Sequence, residues 1–383
     1  MSKKKILLIS PTPTHPPTAG NRTRIDALLT GLRQLGHDVY FCLIRSERGD
    51  EALMKQIWGD RYIPVPYRRP RNAITRWRKR ICGVFSPAAR YNYAIDDWYD
   101  PAIDAHIAAL HDKVGFDVAI VEYVFYSKVL RLFGDQVLKI VDTHDVFTDR
   151  YKTYLANGQV PQWFSTTRDE EARGLDRADI VVAITDKERE FFAGLTARRV
   201  ITVGHMVTLS EPAETRSAEQ GLLFVASDNP INTDGINQFI AQSFPAVQAR
   251  VPGVKLVLAG SVCKAVADHP GVLKLGRVDD LAPVYQAASV VINPVLFNTG
   301  LSIKNLEAIG HARPLVTAPV GVEGLEDGVN TAFLVGENAE EFAGQIVRLL
   351  LDTEYSRRIA RQAYEYAAGR NLTIMRQLAE ILA

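Results

Sequence analysis

Short runs rich in Ile, Val and Leu recur along this sequence, and each is followed by a longer stretch whose apolar residues have helical spacing. This alternation is typical of buried parallel strands that are joined by crossover helices. It predicts an α/β fold. The predicted strands are residues 5–10, 38–44, 118–123, 138–143, 180–185 and 199–204 in the first half, and 222–227, 255–260, 272–276, 290–295, 314–319 and 332–336 in the second.

A polar segment at 210–221, SEPAETRSAEQG, separates the two series of strands. Few of its side chains could join a core, so we predict a linker there. A chain of 383 residues also exceeds the usual size of one hydrophobic core. We therefore predict two facing, doubly wound Rossmann-like domains, residues 1–209 and 210–366, with a C-terminal helix at about 367–383 that can pack back on the first domain.

The composition of the chain argues against several classes of protein. The 45 Lys and Arg balance 44 Asp and Glu to a net charge of +1, so no overall field favours nucleic acid. The three cysteines form no CxxC motif and no Cys/His cluster, which argues against a disulfide framework and a structural zinc site. No apolar stretch approaches the roughly 18 residues of a membrane span. We expect a cytoplasmic protein without a signal peptide.

The loop after the first strand, at 11–24, contains only one glycine, Gly20. A dinucleotide-binding fold would have GxGxxG there, so the loop argues against a nicotinamide enzyme. Gly20 and Asn21 stand just before a helix predicted from about Thr23, where free N–H groups and the helix dipole favour a phosphate. The alternative is an ordinary Pro/Gly loop in which Asn21 caps the helix.

A stronger signal, FNTGLSIKNLEAIG at 297–310, directly follows the predicted strand 290–295. We predict a helix from Ser302 to Gly310, whose first N–H groups could hold a diphosphate. The residues that we expect at this diphosphate are Thr299, Gly300, Leu301 and Ser302.

Two charged residues follow in the same helix. The carboxylate of Glu307 can accept hydrogen bonds from both hydroxyls of a ribose, because an ionised carboxylate only accepts. Lys304, one turn earlier, offers a countercharge either to the phosphate or to Glu307. A surface Lys–Glu pair is the alternative interpretation.

The segment 297–325 resembles the nucleotide-sugar signature of GT-B glycosyltransferases, in particular the retaining family 4. The helix of that family typically reads Glu, seven residues, Glu, then Ala and a Gly-x-Pro turn. Glu307, Ala308 and Gly310 match the second half of this pattern, and Thr299 stands in the place of the first glutamate. By this resemblance Glu307 holds the ribose, and Thr299 lies where the family's first glutamate approaches the donor sugar.

The resemblance extends over nearly the whole chain and includes RQLGHDV at 33–39 and the segment 224–240. Asn232 lies in an Asn-x-Asp-Gly sequence that is similar to the segment of many relatives after the first strand of the nucleotide domain. The Arg and Lys that other members place nearby do not stand in this segment. Arg277 and Val278 resemble the family's loop against the nucleobase, with a plain strand-to-helix turn as the alternative.

In the first half, the segment DTHDVFTDRY at 142–151 brings His144 and Asp145 to the carboxyl end of a predicted strand. Imidazole both donates and accepts near neutral pH, so this pair could orient a sugar hydroxyl or move a proton. Glu122 ends another predicted strand, where the family often has a polar residue near the reacting sugar. These three are the predicted catalytic residues, and a structural network within the loop is the alternative. No HExxH or DxD pattern occurs, and we predict no metal and no cofactor.

Nine Lys or Arg and no Asp or Glu occur between residues 61 and 90. The Arg68–Arg80 part of this segment, with Trp77 interleaved and Ile81 directly after it, is suited to the headgroups of an anionic membrane. A solvated basic loop is the alternative.

Together these features predict a glycosyltransferase. The resemblance implies transfer, with retention and without metal, from a nucleoside diphosphate sugar to a glycan or a lipid-linked acceptor, in the synthesis of surface polysaccharide or glycoconjugate. We expect the enzyme in the cytoplasm, with peripheral contact to the inner face of the cell membrane. A nucleotide-sugar epimerase on the same architecture and a catalytically silent binding subunit are the alternatives.

Overall fold

The protein was analysed as a computed structural model. The structure describes residues 2–17, 19–70, 77, 81, 84, 86–212, 221–297 and 300–383. The chain divides into two compact units. The first unit comprises Met1–Pro16, Asn21–Gly204 and Gln377–Ala383, and the second comprises Pro17–Gly20 and His205–Arg376.

The first unit contains a seven-stranded parallel sheet in the order β3-β2-β1-β4-β5-β6-β7. Its strands are β1 (Lys5–Ser10), β2 (Asp38–Ile44), β3 (Tyr62–Val65), β4 (Val118–Glu122), β5 (Leu138–Asp142), β6 (Ile180–Ala183) and β7 (Arg199–Thr202). Its helices are α1 (Gly20–Gln34), α2 (Glu51–Trp58), α3 (Pro87–Tyr91), α4 (Ala102–Val114), α5 (Tyr151–Ala156), α6 (Arg168–Leu175) and α7 (Asp186–Ala193). Helices on both faces bury the central strands, which explains why those strands read as continuous apolar runs.

The second unit contains a six-stranded parallel sheet in the order β10-β9-β8-β11-β12-β13. Its strands are β8 (Leu222–Val225), β9 (Leu256–Ala259), β10 (Val272–Gly276), β11 (Val290–Asn293), β12 (Leu315–Thr317) and β13 (Leu334–Val335). Its helices are α8 (Pro230–Gln242), α9 (Phe244–Arg250), α10 (Ala282–Ala287), α11 (Ile303–Gly310), α12 (Ala339–Leu351) and the long α13 (Thr353–Ile381).

The predicted α/β fold with two doubly wound sheets is confirmed, and all twelve predicted strands are present. Most are shorter than predicted, because the polar or small residues at their carboxyl ends leave the sheet and enter loops. The sequence analysis missed β3, which contains Pro64. Proline cannot donate a hydrogen bond within a sheet, and β3 accommodates it because it is an edge strand.

Two helices differ in their bounds from the sequence prediction. Helix α1 begins at Gly20 rather than near Thr23, so Asn21 lies inside the helix and is not its cap. The C-terminal helix predicted from about residue 367 is the last part of α13, which begins at Thr353. None of the helices in the described part of the chain combines the length and apolar character that crossing a membrane requires.

Each sheet has one point where the chain order reverses. In the first unit it lies between β1 and β4, and in the second between β8 and β11. Ligands of doubly wound sheets bind outside the carboxyl ends of the strands at such switch points. We therefore expect the ligand-binding residues to follow these four strands.

Helix α8 packs directly on the backbone that follows β11. A Cβ placed on Gly235 would lie 2.7 Å from the carbonyl oxygen of Pro294 and 2.8 Å from the Cα of Val295. Gly235 is therefore required for a close helix-to-backbone approach at the switch point of the second unit. Gly344, inside α12, has open space around the same position.

We predict that Gly235→Ala destabilises the second unit by about 1–3 kcal/mol, because the added methyl group meets backbone atoms that cannot turn away. Gly344→Ala should be neutral or stabilising by up to about 1 kcal/mol, because alanine favours a helix and meets no neighbour. Urea unfolding followed by circular dichroism measures both. Equal unfolding midpoints for Gly235→Ala and the wild type would contradict the close packing.

Candidate functional site

In the first unit, two buried carboxyl groups stand side by side at the carboxyl ends of β4 and β5. Glu122 and Asp142 are paired in the sheet register, and both side chains are buried. Two neighbouring buried carboxylates would repel each other without partners of opposite charge. The structure supplies two such partners, Arg24 and His144.

Arg24 holds Asp142 with both sides of its guanidinium group. Its Nη2 lies 2.8 Å from Asp142 Oδ1, and its Nε lies 3.2 Å from Oδ2. The guanidinium also donates to the carbonyl groups of Gly204 and Val203. Burial acts to lower the pKa of Arg24, but the attraction of Asp142, Glu122 and Glu188 outweighs it and the pKa is raised. Arg24 is thus a permanent buried cation.

His144 is the partner of Glu122. A hydrogen bond joins His144 Nε2 to Glu122 Oε2, and the second oxygen, Oε1, is buried without a hydrogen-bond partner among the described residues. Burial and the nearby Asp142 raise the pKa of Glu122, while His144 and Arg24 oppose that rise. The structure thus joins Glu122 and His144 by a hydrogen bond, and their role in proton movement stays a prediction.

The imidazole of His144 is fixed from a second side by Tyr123. The two rings are stacked with centroids 4.2 Å apart, and Asn21 Nδ2 donates to the Tyr123 hydroxyl at 3.0 Å. Tyr123 and His144 both have positive φ angles, 70° and 64°, which are unusual for residues with a Cβ. Such backbone conformations concentrate at functional sites. The structure thus brings Glu122 and His144 together, with Asn21 in contact through Tyr123.

Asp145, the third predicted catalytic residue, pairs with Arg150, whose Nη2 lies 3.3 Å from Asp145 Oδ2. Arg150 also lies beside the indole of Trp163, with its Cζ 5.8 Å from the ring centroid. The structure therefore places Asp145 in an ion pair next to the aromatic residues, in a different contact from the Glu122–His144 hydrogen bond.

Glu122, Asp142 and His144 are also the group of described residues that could hold a metal ion, since one ligand atom from each lies within 4.8 Å of the others. The guanidinium of Arg24, however, already occupies both oxygens of Asp142. A metal ion would have to displace this cation. The donor set is that of a carboxylate cluster neutralised by arginine, and metal independence stays a prediction.

In the second unit, a network of amide side chains fixes the start of α11 to the end of β11. Asn293 Nδ2 donates to Asn305 Oδ1 at 2.7 Å and to Ser302 Oγ at 3.0 Å. Asn305 in turn donates to the Gly321 carbonyl at 2.9 Å and to Thr317 Oγ1 at 3.1 Å. The N-terminus of α11, where the diphosphate is predicted, is therefore rigidly placed at the switch point of this sheet.

Lys304 lies in the first turn of α11, and its ammonium group donates to Asn232 Oδ1. The amide of Asn232 is oriented in turn, because its Nδ2 donates to the Ser227 carbonyl at 3.0 Å. Burial lowers the pKa of Lys304 to about 8, and Glu307 opposes this effect. Asn232, expected at the donor itself, contacts Lys304 in the structure and sets the position of this cation.

Glu307 lies one turn further along α11. Tyr285 donates its hydroxyl to Glu307 Oε2 at 3.2 Å, and the ring of His311 stacks on Tyr285 with centroids 4.6 Å apart. Burial raises the pKa of Glu307 to about 7, and Tyr285 and Lys304 oppose the rise. The alternative of a surface Lys–Glu pair is wrong, because Glu307 and Lys304 are half-buried and held by neighbours.

The other predicted donor residues vary in environment. Arg277 is exposed and lies 3.7 Å from Asp279, while Val278 packs half-buried in the same apolar cluster as Tyr285. Gly300 is buried and Leu301 is half-buried before α11.

Three predicted binding features, Gly20, Thr299 and the basic segment, lie in another unit or partly or wholly outside the described residues. Gly20 begins α1 but groups with the second unit. Thr299 lies outside the described residues, as does most of the basic segment between Arg71 and Arg80, where Trp77 alone is described.

Sequence reasoning missed Arg24, Tyr123, Tyr285 and Asn293. Arg24 did carry a signal, because it stands on the same helical face as Leu28 and Leu32, and a charge on an apolar face needs a buried partner. Tyr285 and Asn293 carried none, since an aromatic residue in a short helix and an amide at a strand end occur in many structural settings.

Comparisons with known proteins bear on the fold and on the second unit. Residues 219–352 match the family model "Glycosyl transferases group 1". Over 149 residues the chain is 23% identical to an uncharacterized 44.6 kDa protein in the cps region of Klebsiella pneumoniae, an alignment that spans 36% of this chain and 38% of that relative.

Solved structures are similar over the whole chain. Sucrose-phosphate synthase from Thermosynechococcus elongatus has a TM-score of 0.69 and 17% identity, with coverage of 99% of this chain and 98% of that chain. HepE from Anabaena, in complex with UDP and glucose, has a TM-score of 0.67 and 14% identity, with 99% of both chains covered. The pneumococcal O-GlcNAc transferase GtfA, in complex with UDP and GlcNAc, has a TM-score of 0.68 and 11% identity, again with 99% of both covered.

These findings confirm the predicted GT-B fold, and the match to the group 1 glycosyl transferase model lies within the second unit.

We predict that a nucleoside diphosphate binds most tightly between about pH 7 and pH 8. Below that range Glu307, with its pKa of about 7, takes up a proton and stops accepting from two ribose hydroxyls; above it Lys304, with its pKa of about 8, loses the charge that attracts phosphate. Isothermal titration from pH 6 to pH 9 should show affinity falling several-fold on either side.

Two variants separate these effects from the titration of the nucleotide itself, whose terminal phosphate ionises near pH 6. Glu307→Gln should flatten the acidic side of the profile, and Lys304→Met the alkaline side. A wild-type affinity that is constant from pH 6.5 to pH 9 would show that neither group contacts the nucleotide.

Proposed function

We propose that the protein transfers a sugar from a nucleoside diphosphate sugar to a glycan or lipid-linked acceptor. The second unit binds the nucleotide, and the first unit binds the acceptor. The observation that carries this proposal is the arrangement of Lys304 and Glu307 on α11, a half-buried cation and a half-buried carboxylate one turn apart behind a fixed helix N-terminus.

The leaving diphosphate gains negative charge as the bond to the sugar breaks. The N–H groups at the start of α11 and the ammonium of Lys304 are positioned before the reaction, so they stabilise this charge without reorganisation. Glu307, held by Tyr285 through one oxygen, accepts the ribose hydroxyls. The UDP present in the HepE and GtfA structures supports a uridine nucleotide as the donor.

The Glu122–His144 pair in the first unit supplies the groups that orient and deprotonate a hydroxyl. Imidazole that is held by a carboxylate keeps one tautomer, and this fixes which nitrogen faces the substrate. The similarity to family 4 supports retention of configuration. Arg24, which neutralises the carboxylate cluster, supports a reaction without metal.

Two observations bear on the acceptor and on the surface where it is bound. The relative in the cps region of Klebsiella pneumoniae supports a role in surface polysaccharide synthesis. Contact with a membrane surface through the Arg68–Arg80 segment is supported by the side chain of Trp77, which is 67% exposed. The cytoplasmic location stays a prediction.

We predict that one of UDP, GDP, ADP and dTDP binds tightly and that Glu307→Ala weakens this binding roughly tenfold or more, because a lost charged hydrogen-bonding partner costs about 1.5–3 kcal/mol. Isothermal titration measures the affinity. Glu340→Gln, an exposed position in the same unit, is the matched control and should bind as the wild type does. If no nucleotide binds, or if Glu307→Ala binds equally well, the donor site is not on α11.

Incubation with the matching nucleotide sugar then separates the alternatives. An altered sugar nucleotide formed without acceptor indicates the epimerase, and binding without any turnover indicates the silent subunit. Transfer to an added glycan or lipid-linked acceptor supports the proposed function.

We predict that turnover of the nucleotide sugar in excess EDTA stays within about twofold of the untreated rate, because Arg24 supplies the charge that a metal would bring to the carboxylates. Release of the nucleoside diphosphate measures turnover. Loss of activity in EDTA that Mg²⁺ or Mn²⁺ restores would overturn metal independence.

A further inference from the structure

Three aromatic residues of the first unit touch one another in a row, and each has an unusual backbone conformation. Trp163 contacts Tyr123 with ring centroids 5.1 Å apart, and Tyr123 stacks on His144. Their φ angles are 66°, 70° and 64°. Bulky residues rarely adopt this conformation, so the surrounding packing must hold each of them in place.

The turn at Trp163 buries its neighbour and leaves the indole at the surface. Phe164 is fully buried and stacks on Phe125 with centroids 4.6 Å apart, whereas Trp163 is 38% exposed. The planes of the Tyr123, Phe125 and Phe147 rings make angles of 75°, 76° and 83° with the plane of the indole. Among the ring contacts of the described residues, no parallel ring is stacked on the indole of Trp163.

We propose that the exposed indole of Trp163 is the platform on which a pyranose ring of the acceptor stacks. One face of a pyranose carries C–H groups of slight positive charge, which pack on the negative face of an aromatic ring. The hydroxyl groups at the edge of the sugar need polar partners, and the Arg150–Asp145 ion pair lies beside the indole. Acceptor subsites with this combination of an aromatic body and a polar rim suit carbohydrates rather than apolar ligands.

The platform lies next to the predicted catalytic pair. Trp163 is joined to His144 by one intervening ring, Tyr123, so a sugar on the indole is one ring away from the imidazole. That the bound sugar is the acceptor rests on the proposed function, since the nucleotide site lies in the second unit. Asp145, predicted as catalytic, then becomes a residue that binds acceptor hydroxyls together with Arg150.

Titration of the full chain with methyl glycosides tests the platform. The probes are the methyl α- and β-pyranosides of glucose, galactose, mannose and N-acetylglucosamine, and the readouts are intrinsic tryptophan emission and saturation-transfer NMR. At least one probe should shift the wild-type emission in a saturable way. Trp163→Phe should lose the emission shift, whereas Trp77→Phe, which removes a more exposed indole, should keep it.

The affinity for the same probe should fall about tenfold in Trp163→Ala and largely recover in Trp163→Tyr, which restores an aromatic face. The affinity for the nucleoside diphosphate should match the wild type in both variants, because Trp163 lies in the first unit. The proposal is overturned if no probe binds the wild type, or if Trp163→Ala binds a probe as tightly as the wild type does.

The experiments distinguish failure of the Trp163 platform from failure of the proposed glycosyltransferase function. Nucleotide binding without pyranoside binding would remove the platform and leave the proposed glycosyltransferase. Pyranoside binding that depends on Trp163, in a protein that binds no nucleoside diphosphate, would keep a sugar site and remove the proposed donor chemistry.

Discussion

A parallel strand that is buried on both faces can present polar groups only where it ends, and this constraint arranges both candidate sites. In the first unit, β4 and β5 end at the same level of the sheet, so their terminal carboxyl groups, Glu122 and Asp142, are forced together. In the second unit, β11 ends at Asn293, which fixes the helix that follows it. The same topology thus places polar side chains at the carboxyl edge of both sheets, charged groups in the first unit and amide groups in the second.

The two units stabilise their charged site residues with different kinds of partner. The first unit neutralises Asp142 with the guanidinium of Arg24, a group that stays charged at every working pH, and pairs Glu122 with His144 through a hydrogen bond. The second unit holds Lys304 and Glu307 with neutral partners, Asn232 and Tyr285. A cation and a carboxylate that are held by neutral groups keep their charge available for a ligand, as nucleotide binding requires.

The sequence predicted most of the fold, because continuous apolar runs and helical spacing report burial directly. It failed at β3, where Pro64 concealed an edge strand, and at the start of α1, where Gly20 and Asn21 belong to the helix. Of the candidate site, it found the groups that carry chemical character, such as Glu307, Lys304 and His144. It missed the partners that position them, Arg24, Tyr123 and Tyr285. The apolar helix face of Arg24 indicates that this charge needs a buried partner, but which distant side chain meets which group is decided by tertiary packing.

The positive φ angles of Tyr123 and His144 connect this packing to the proposed chemistry. Each strained residue directly follows or lies two positions beyond the end of a strand, where the chain must turn sharply to bring its side chain back over the sheet edge. Without that turn the imidazole could not lie over Glu122, and the ring of Tyr123 could not stack on it. The strained backbone of these two residues therefore accompanies the hydrogen bond between His144 and Glu122 and the stacking of Tyr123 at the end of a buried sheet.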